Sequence, residues 1–104
     1  MKDAVKLMSK KNLKNEKYVE LARFLRRKRE GRGLSQNNIA EALGFSSSQF
    51  VSNWERAISS PPMNSLPLLS RLLRIKEYEI AGILMRITKA EVRENFYKSP
   101  KRTK

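Results

Sequence analysis

Most of the chain consists of stretches in which apolar residues recur every three or four positions. Apolar residues at this spacing line one face of an α-helix, whereas a half-buried strand needs strict alternation of apolar and polar residues. These stretches are residues 16–30, 35–43, 47–56, 65–73 and 76–97. The pattern predicts an all-α fold of five helices that form one domain over residues 16–97.

One face of each predicted helix supplies the core. The inward positions are Tyr18, Leu21, Ala22 and Leu25 in the first helix, Ile39, Ala40 and Leu43 in the second, Phe50, Val51 and Trp54 in the third, and Leu66, Leu69, Leu72 and Leu73 in the fourth. We interpret Trp54 as a core residue rather than as a platform for stacked bases. The fifth helix carries a stripe of Ile80, Ile83, Leu84 and Ile87, which either covers the core of the monomer or pairs two subunits.

The second and third helices are joined by a short turn whose residues suit it. Ser35 is expected to cap the second helix at its N-terminus, and Gly44 is expected to end it in the left-handed conformation. The serines at 46–48 offer N-caps for the third helix. That helix has a second, polar face, which is made of Gln49, Ser52, Asn53 and Arg56. Two short helices joined in this way form a helix-turn-helix, and the polar face predicts contact with DNA.

Several residues of this region match a known family. The matched positions are Arg29, Leu34, Ser35, Gln36, Ala40, Gly44, Val51, Trp54, Glu55, Arg56, Pro61 and Pro62. Over residues 17–73 the chain resembles the Cro and phage-repressor superfamily of helix-turn-helix proteins, often called the Xre family. The resemblance implies a lambda-repressor-like domain that reads DNA with its third helix in the major groove.

The chain departs from the family pattern at two places. The segment from Gly44 to Glu55 is one residue longer than is usual in the family, and the extra residue lies within 45–47. A longer turn can tilt the reader helix and change its base register. Ala57 stands where the family mostly has glycine. If the backbone there has a positive φ, alanine costs about 1 kcal/mol or more; otherwise the helix ends differently.

The resemblance also implies which residues contact DNA. Ser48, Gln49 and Asn53 match base-reading positions, and Ser52 lies on the same face. Side-chain amides suit this task because they pair bidentately with adenine. Gln36 matches a phosphate-binding position, and Asn37, Ser47 and Arg56 are expected to contact phosphates beside it. Arg29 and Glu55 match a structural ion pair of the family, which ties the first helix to the end of the reader helix.

The net charge of +13 is unevenly distributed along the chain. Residues 1–33 hold 12 Lys and Arg against 4 Asp and Glu, residues 34–70 hold 1 against 2, and residues 71–104 hold 10 against 4. Lys and Arg on the flanks therefore suit phosphate contacts, while uncharged side chains read bases. The alternative is that these charges only keep the protein in solution. Residues 1–15 are predicted to be a basic mobile arm and residues 98–104 a basic disordered tail.

Composition narrows the classes of function. The chain has no Cys and no His, so disulfides, thiolate metal sites and the commonest acid–base catalyst are excluded. No paired carboxylates, phosphate-cradling glycine loop or activated serine is recognisable, and we therefore expect no enzyme, no metal and no cofactor. No apolar run approaches the length of a membrane span. We expect a cytoplasmic, nucleoid-associated protein.

These features predict a sequence-specific DNA-binding transcriptional regulator of the repressor type. Its partner would be double-stranded DNA, and it would act as a homodimer through the C-terminal helix on half-sites about 34 Å apart. One alternative is an antitoxin or adaptor whose main role is to bind a protein partner, with DNA binding secondary. Another is sequence-independent binding of nucleic acid through charge alone.

Overall fold

The protein is described here by a computed structural model that covers residues 14–98. Within these residues the chain forms five α-helices and no strand. The helices are α1 (Val19–Gly31), α2 (Gln36–Leu43), α3 (Gln49–Glu55), α4 (Leu66–Leu73) and α5 (Glu77–Phe96). Short 3-10 turns, Glu16–Tyr18 and Met63–Ser65, lead into α1 and α4. The prediction of an all-α, five-helix fold is confirmed. The arm was expected over residues 1–15 and the tail over residues 98–104, and of these, residues 1–13 and 99–104 lie outside the described residues.

A single apolar cluster draws on all five helices. Its buried members are Leu21, Phe24, Leu25, Ile39, Ala40, Val51, Trp54, Leu69, Leu73, Ile75, Ile80, Ile83 and Ile87. Most of these were predicted from helical spacing, and Trp54 is a core residue as expected. Phe24 and Ile75 were not predicted. No helix within residues 14–98 is long and apolar enough to span a membrane.

Helix α5 packs against α1 and covers the core of the monomer. Ile80, Ile83 and Ile87 are buried there, which decides between the two roles left open for this stripe. Ion pairs hold the contact at its edge: Lys28 Nζ lies 3.0 Å from Glu79 Oε2, and Arg86 Nη2 lies 2.7 Å from Glu20 Oε2. The hydrogen bond from Arg86 lowers the pKa of Glu20 below its usual value.

The opposite side of α5 carries a second apolar stripe, which no other described element covers. Tyr78, Met85, Val92 and Phe96 are all well exposed. Three of them are spaced seven residues apart, so they lie along one line of the helix. We call these four residues the outer stripe.

The ends of α2 match the sequence prediction in detail. Ser35 Oγ accepts a hydrogen bond from the backbone N–H of Asn38 at 2.9 Å, and Asn38 Oδ1 accepts from the N–H of Ser35 at 2.8 Å. This reciprocal arrangement is a capping box. At the other end Gly44 has φ +83°, the left-handed conformation that glycine adopts without strain.

Helices α3 and α4 end with the same backbone geometry but without glycine. Ala57 has φ +61° and Arg74 has φ +54°. After α3, the N–H of Ile58 donates to the carbonyl of Asn53 at 2.9 Å, which is a Schellman closure. Of the two possibilities considered for Ala57, the structure shows positive φ, at a cost of about 1–2 kcal/mol. The Ala57 carbonyl also accepts from the N–H of Asn15 at 2.7 Å, so Asn15 belongs to the folded domain and not to the arm.

Candidate nucleic-acid interface

Helix α3, the predicted reader helix, is shorter than its sequence suggested. It was expected over about 47–56 and runs over Gln49–Glu55, because residues 46–48 bend the chain instead of starting the helix. Ser47 Oγ accepts a hydrogen bond from the backbone N–H of Gln49 at 3.2 Å. Ser48, half-buried at the start of the helix, makes no capping hydrogen bond with its side chain. The turn between α2 and α3 therefore occupies residues 44–48.

The polar face of α3 is a connected network. Arg56 donates from Nε to Ser52 Oγ at 3.2 Å and from Nη2 to Asn53 Oδ1 at 3.0 Å. Gln49 Nε2 donates to the same Asn53 oxygen at 3.0 Å. Arginine has no acceptor atom, so its bond requires the oxygen of Asn53 to face it. That oxygen in turn accepts the amide N–H of Gln49.

This order of donors determines what the face offers to a ligand. Within residues 14–98, neither Gln49 Oε1 nor Asn53 Nδ2 has a hydrogen-bond partner. One amide therefore presents an acceptor and the other presents donors, side by side on the exposed surface. Adenine shows the matching pattern in the major groove, since its N6 donates and its N7 accepts. The geometry is suited to reading a base edge.

Behind this face, the carboxylate of Glu55 joins three helices. Arg29 of α1 donates to it from Nε at 2.6 Å and from Nη2 at 2.9 Å. Gln36 of α2 adds a bond from Nε2 to Glu55 Oε1 at 2.9 Å. The side chains of Arg29 and Glu55 are only 12% and 5% exposed. The hydrogen bonds to Glu55 raise the pKa of Arg29 above its ordinary value.

The same guanidinium also holds the entrance to α2. Arg29 Nη1 donates to the carbonyl of Leu34 at 2.8 Å, and Leu34 immediately precedes the Ser35 cap. One side chain of α1 is thus bonded to the start of α2 and to the end of α3. The relative placement of α2 and α3 therefore depends on the guanidinium of Arg29, a charged group that is poorly accessible to water.

Of the residues expected to contact phosphates, two lie on α2 and two flank α3. Gln36 and Asn37 are the first two residues of α2, where backbone N–H groups without a partner inside the helix favour an anion. One amide hydrogen of Gln36 is bonded to Glu55, and the other remains available for a hydrogen bond to a ligand. Asn37 is exposed. Ser47 precedes α3, and Arg56 follows it. The structure thus links Gln36 to α3 through Glu55, while Asn37 takes no part in that network.

Phe50 lies at the surface of α3. Expected in the core, its side chain is 55% exposed. At about 100° per residue, Phe50 falls between the buried side of α3 and the polar face. Phe45 of the turn is half-buried against Trp54, with ring centroids 6.0 Å apart, and Phe50 packs edge-on against Phe45 at 5.1 Å. The helical angle of residue 50 was the signal that could have shown this.

The comparison with protein families agrees with this geometry. Residues 25–80 match the helix-turn-helix family, a segment that is a little over half of the chain and includes α2, α3 and α4. The chain belongs to this family, in its Xre/Cro-like form, and is a DNA-binding transcriptional regulator. Comparisons with curated proteins and with solved structures found no match.

Proposed function

We propose that the protein is a repressor that occupies an operator by placing α3 in the major groove of DNA. The observation that carries this proposal is the network of Gln49, Asn53 and Arg56, which holds two amides side by side on the exposed face. A bidentate pair with adenine, made here by the oxygen of Gln49 and the amide N–H of Asn53, contributes about 1–3 kcal/mol of discrimination against the wrong base. Ser52, bonded to Arg56, and Ser48 complete the reading surface.

Phosphate contacts would fix the register of this helix on the duplex. Gln36 and Asn37 at the start of α2 and Ser47 before α3 offer neutral donors, and Arg56 offers a charge. The basic flanks of the chain supply further affinity that depends on salt, because each neutralised phosphate releases a counterion. Affinity would then come mainly from charge, and discrimination from the neutral side chains of α3.

A homodimer through the outer stripe of α5 completes the proposal. The isoleucines of α5 are used by the monomer core, yet Tyr78, Met85, Val92 and Phe96 remain exposed along the helix. From residue 78 to residue 96 there are 18 helical steps, which correspond to about 27 Å of helix. Closed two-fold dimers are the commonest assembly, and such a dimer would set two reader helices on half-sites about 34 Å apart. It would act in the cytoplasm, on the nucleoid.

A role as antitoxin or adaptor is the second candidate, and the outer stripe is what favours it. In that case a different protein would cover Tyr78 and Met85, and DNA binding would be secondary. Purification of the chain alone separates the two candidates: a homodimer in solution supports the repressor, whereas a monomer that pairs only with a second protein supports the adaptor.

Selection of bound sites from a random duplex library tests the proposed function. The salt is held at about 150 mM, near physiological ionic strength, because charge-driven binding dominates at low salt. We expect enrichment of an inverted repeat whose half-sites lie one helical turn apart. Recovery of unrelated sequences with no shared motif would contradict sequence-specific reading and favour binding through charge alone.

A further inference from the structure

An exposed aromatic ring lies at the edge of the reading face of α3. Phe50 is 55% exposed, although burial of such a large apolar side chain is favourable. It lies one residue after Gln49 and three residues before Asn53, and side chains three apart on a helix are neighbours. The polar reading surface is therefore continued on one side by an apolar one.

The ring is also held in place. Phe45 contacts it edge-on with centroids 5.1 Å apart, and Phe45 is itself packed against the buried Trp54. Phe50, Phe45, Trp54 and Pro62 line a shallow apolar hollow of about 410 Å³. A ring supported from the core loses little conformational freedom when it meets a ligand, and such preorganisation favours binding.

The largest apolar group on the major-groove edge of a base pair is the C5 methyl of thymine. A helix that enters the groove with Gln49 and Asn53 facing the base edges brings Phe50 to the neighbouring base pair. We propose that Phe50 is a further specificity-determining residue, which recognises a thymine methyl beside the adenine read by the two amides. This inference rests on the proposed function.

Replacement of thymine by deoxyuridine tests this contact. Uracil keeps the base pair and the O4 acceptor and lacks only the methyl group, so the hydrogen bonds to the base are unchanged. In the best duplex from the selection, each thymine is replaced in turn, and the affinity of the 104-residue chain is measured at fixed salt. At one thymine of a half-site we expect a loss of about fourfold, because a buried methyl contributes about 0.8 kcal/mol and 1.4 kcal/mol is tenfold.

Variants of Phe50 show whether this residue makes the contact. Phe50→Ala is expected to bind the thymine and uracil duplexes equally, and Phe50→Gln gives the same reading if alanine loosens the turn. The control Asn53→Ala should weaken the preference for adenine while it keeps the preference for thymine over uracil. A loss at uracil that persists in both Phe50 variants would assign the methyl to another residue and overturn the inference.

The inference and the proposed function fail in different ways. If the wild type binds every uracil duplex as well as the thymine duplex, while the library still yields a motif, the contact of Phe50 is wrong and sequence-specific reading stands. If the library yields no motif at all, the proposed function is wrong and the inference falls with it.

Discussion

Arg29 and Glu55 form a bidentate ion pair from α1 to the end of α3, with hydrogen bonds of 2.6 and 2.9 Å. Both side chains are largely withdrawn from water. Breaking such a pair by removing one partner costs about 3–5 kcal/mol, because the other charge stays buried without compensation. The main cost of removing one partner would therefore come from the unpaired charge that stays buried.

Glu55→Gln is expected to lower the free energy of unfolding by about 3 kcal/mol, the lower end of that range, since the amide oxygen still accepts one hydrogen bond. Denaturant melts followed by circular dichroism measure the loss. Glu20→Gln is the matched control: its pair with Arg86 is also bidentate, at 2.9 and 2.7 Å, but the side chains are 52% and 60% exposed. An exposed pair contributes about 1 kcal/mol or less. Equal, small losses in both variants would show that burial of the Arg29 pair has no energetic consequence.

Arg56 is expected to orient Asn53 and Gln49, and a charge-conserving change separates this role from phosphate binding. Arg56→Lys keeps the positive charge but loses the fork that bonds Ser52 and Asn53. The ratio of affinities for the selected and the scrambled site should fall about fivefold to tenfold, which corresponds to about 1 kcal/mol. The slope of affinity against salt should stay the same, because that slope counts charges at phosphates.

Arg71→Lys, on the exposed side of α4, is the control for this change and should alter neither quantity. If Arg56→Lys keeps the wild-type ratio of affinities for the selected and the scrambled site, the orienting role is contradicted. Since lysine keeps the charge that a phosphate contact needs, that result together with an unchanged slope would assign Arg56 to a phosphate alone.

Two substitutions at helix ends where the backbone has a positive φ should have opposite effects on stability. Arg74→Gly removes the strain of φ +54° and should stabilise the protein by up to about 1 kcal/mol. Gly44→Ala should destabilise it by about 1 kcal/mol through backbone strain alone, since a Cβ at residue 44 would meet no atom within 4 Å. Thermal melts of both variants test the pair; a gain of stability in Gly44→Ala would be inconsistent with the φ of +83°.

A substitution of Met85 in the outer stripe tests whether this face holds the proposed dimer. A charge there would be buried against the partner in a dimer but stays in water in the monomer, where Met85 is 69% exposed. Met85→Glu should therefore give a monomer in sedimentation or light scattering with little change in helix content. Met63→Glu is a close control, because Met63 is 72% exposed and lies off the stripe. A dimer that survives in Met85→Glu would exclude this face.

The local features of the fold could be predicted from the sequence because each depends on neighbours in the chain. The Ser35 cap and the Gly44 turn are of this kind, and helical spacing identified most of the core. The exposure of Phe50 depends on Phe45 and Trp54 together, and the bond from Gln36 to Glu55 depends on how α2 meets α3. Such contacts follow from packing rather than from local pattern. The predicted start of α3 was about two residues too early, because the serines at 46–48 suit an N-cap as well as a bend.

Helix α5 shows that local pattern is also insufficient to predict the contacts of a whole helix face. Its isoleucines gave a clear helical stripe, but the spacing alone did not say whether that stripe faces the same chain or a second one. Ile80 and Ile83 are buried against the monomer, and only this packing leaves Met85 and the rest of the outer stripe exposed. The pattern of apolar residues indicates that this face of α5 packs against another apolar surface. Only the packing of the folded chain shows which surface that is.

The most direct test of the account is whether the two amides of α3 read sequence. Affinities for the selected duplex and for a scrambled duplex of the same length are measured at one salt concentration for the wild type and for Gln49→Ala with Asn53→Ala. We expect the double variant to lose about fivefold or more in the ratio of the two affinities, since the bidentate pair that the two amides form with adenine contributes about 1–3 kcal/mol, while binding to the scrambled duplex is unchanged. An unchanged ratio would contradict reading by Gln49 and Asn53.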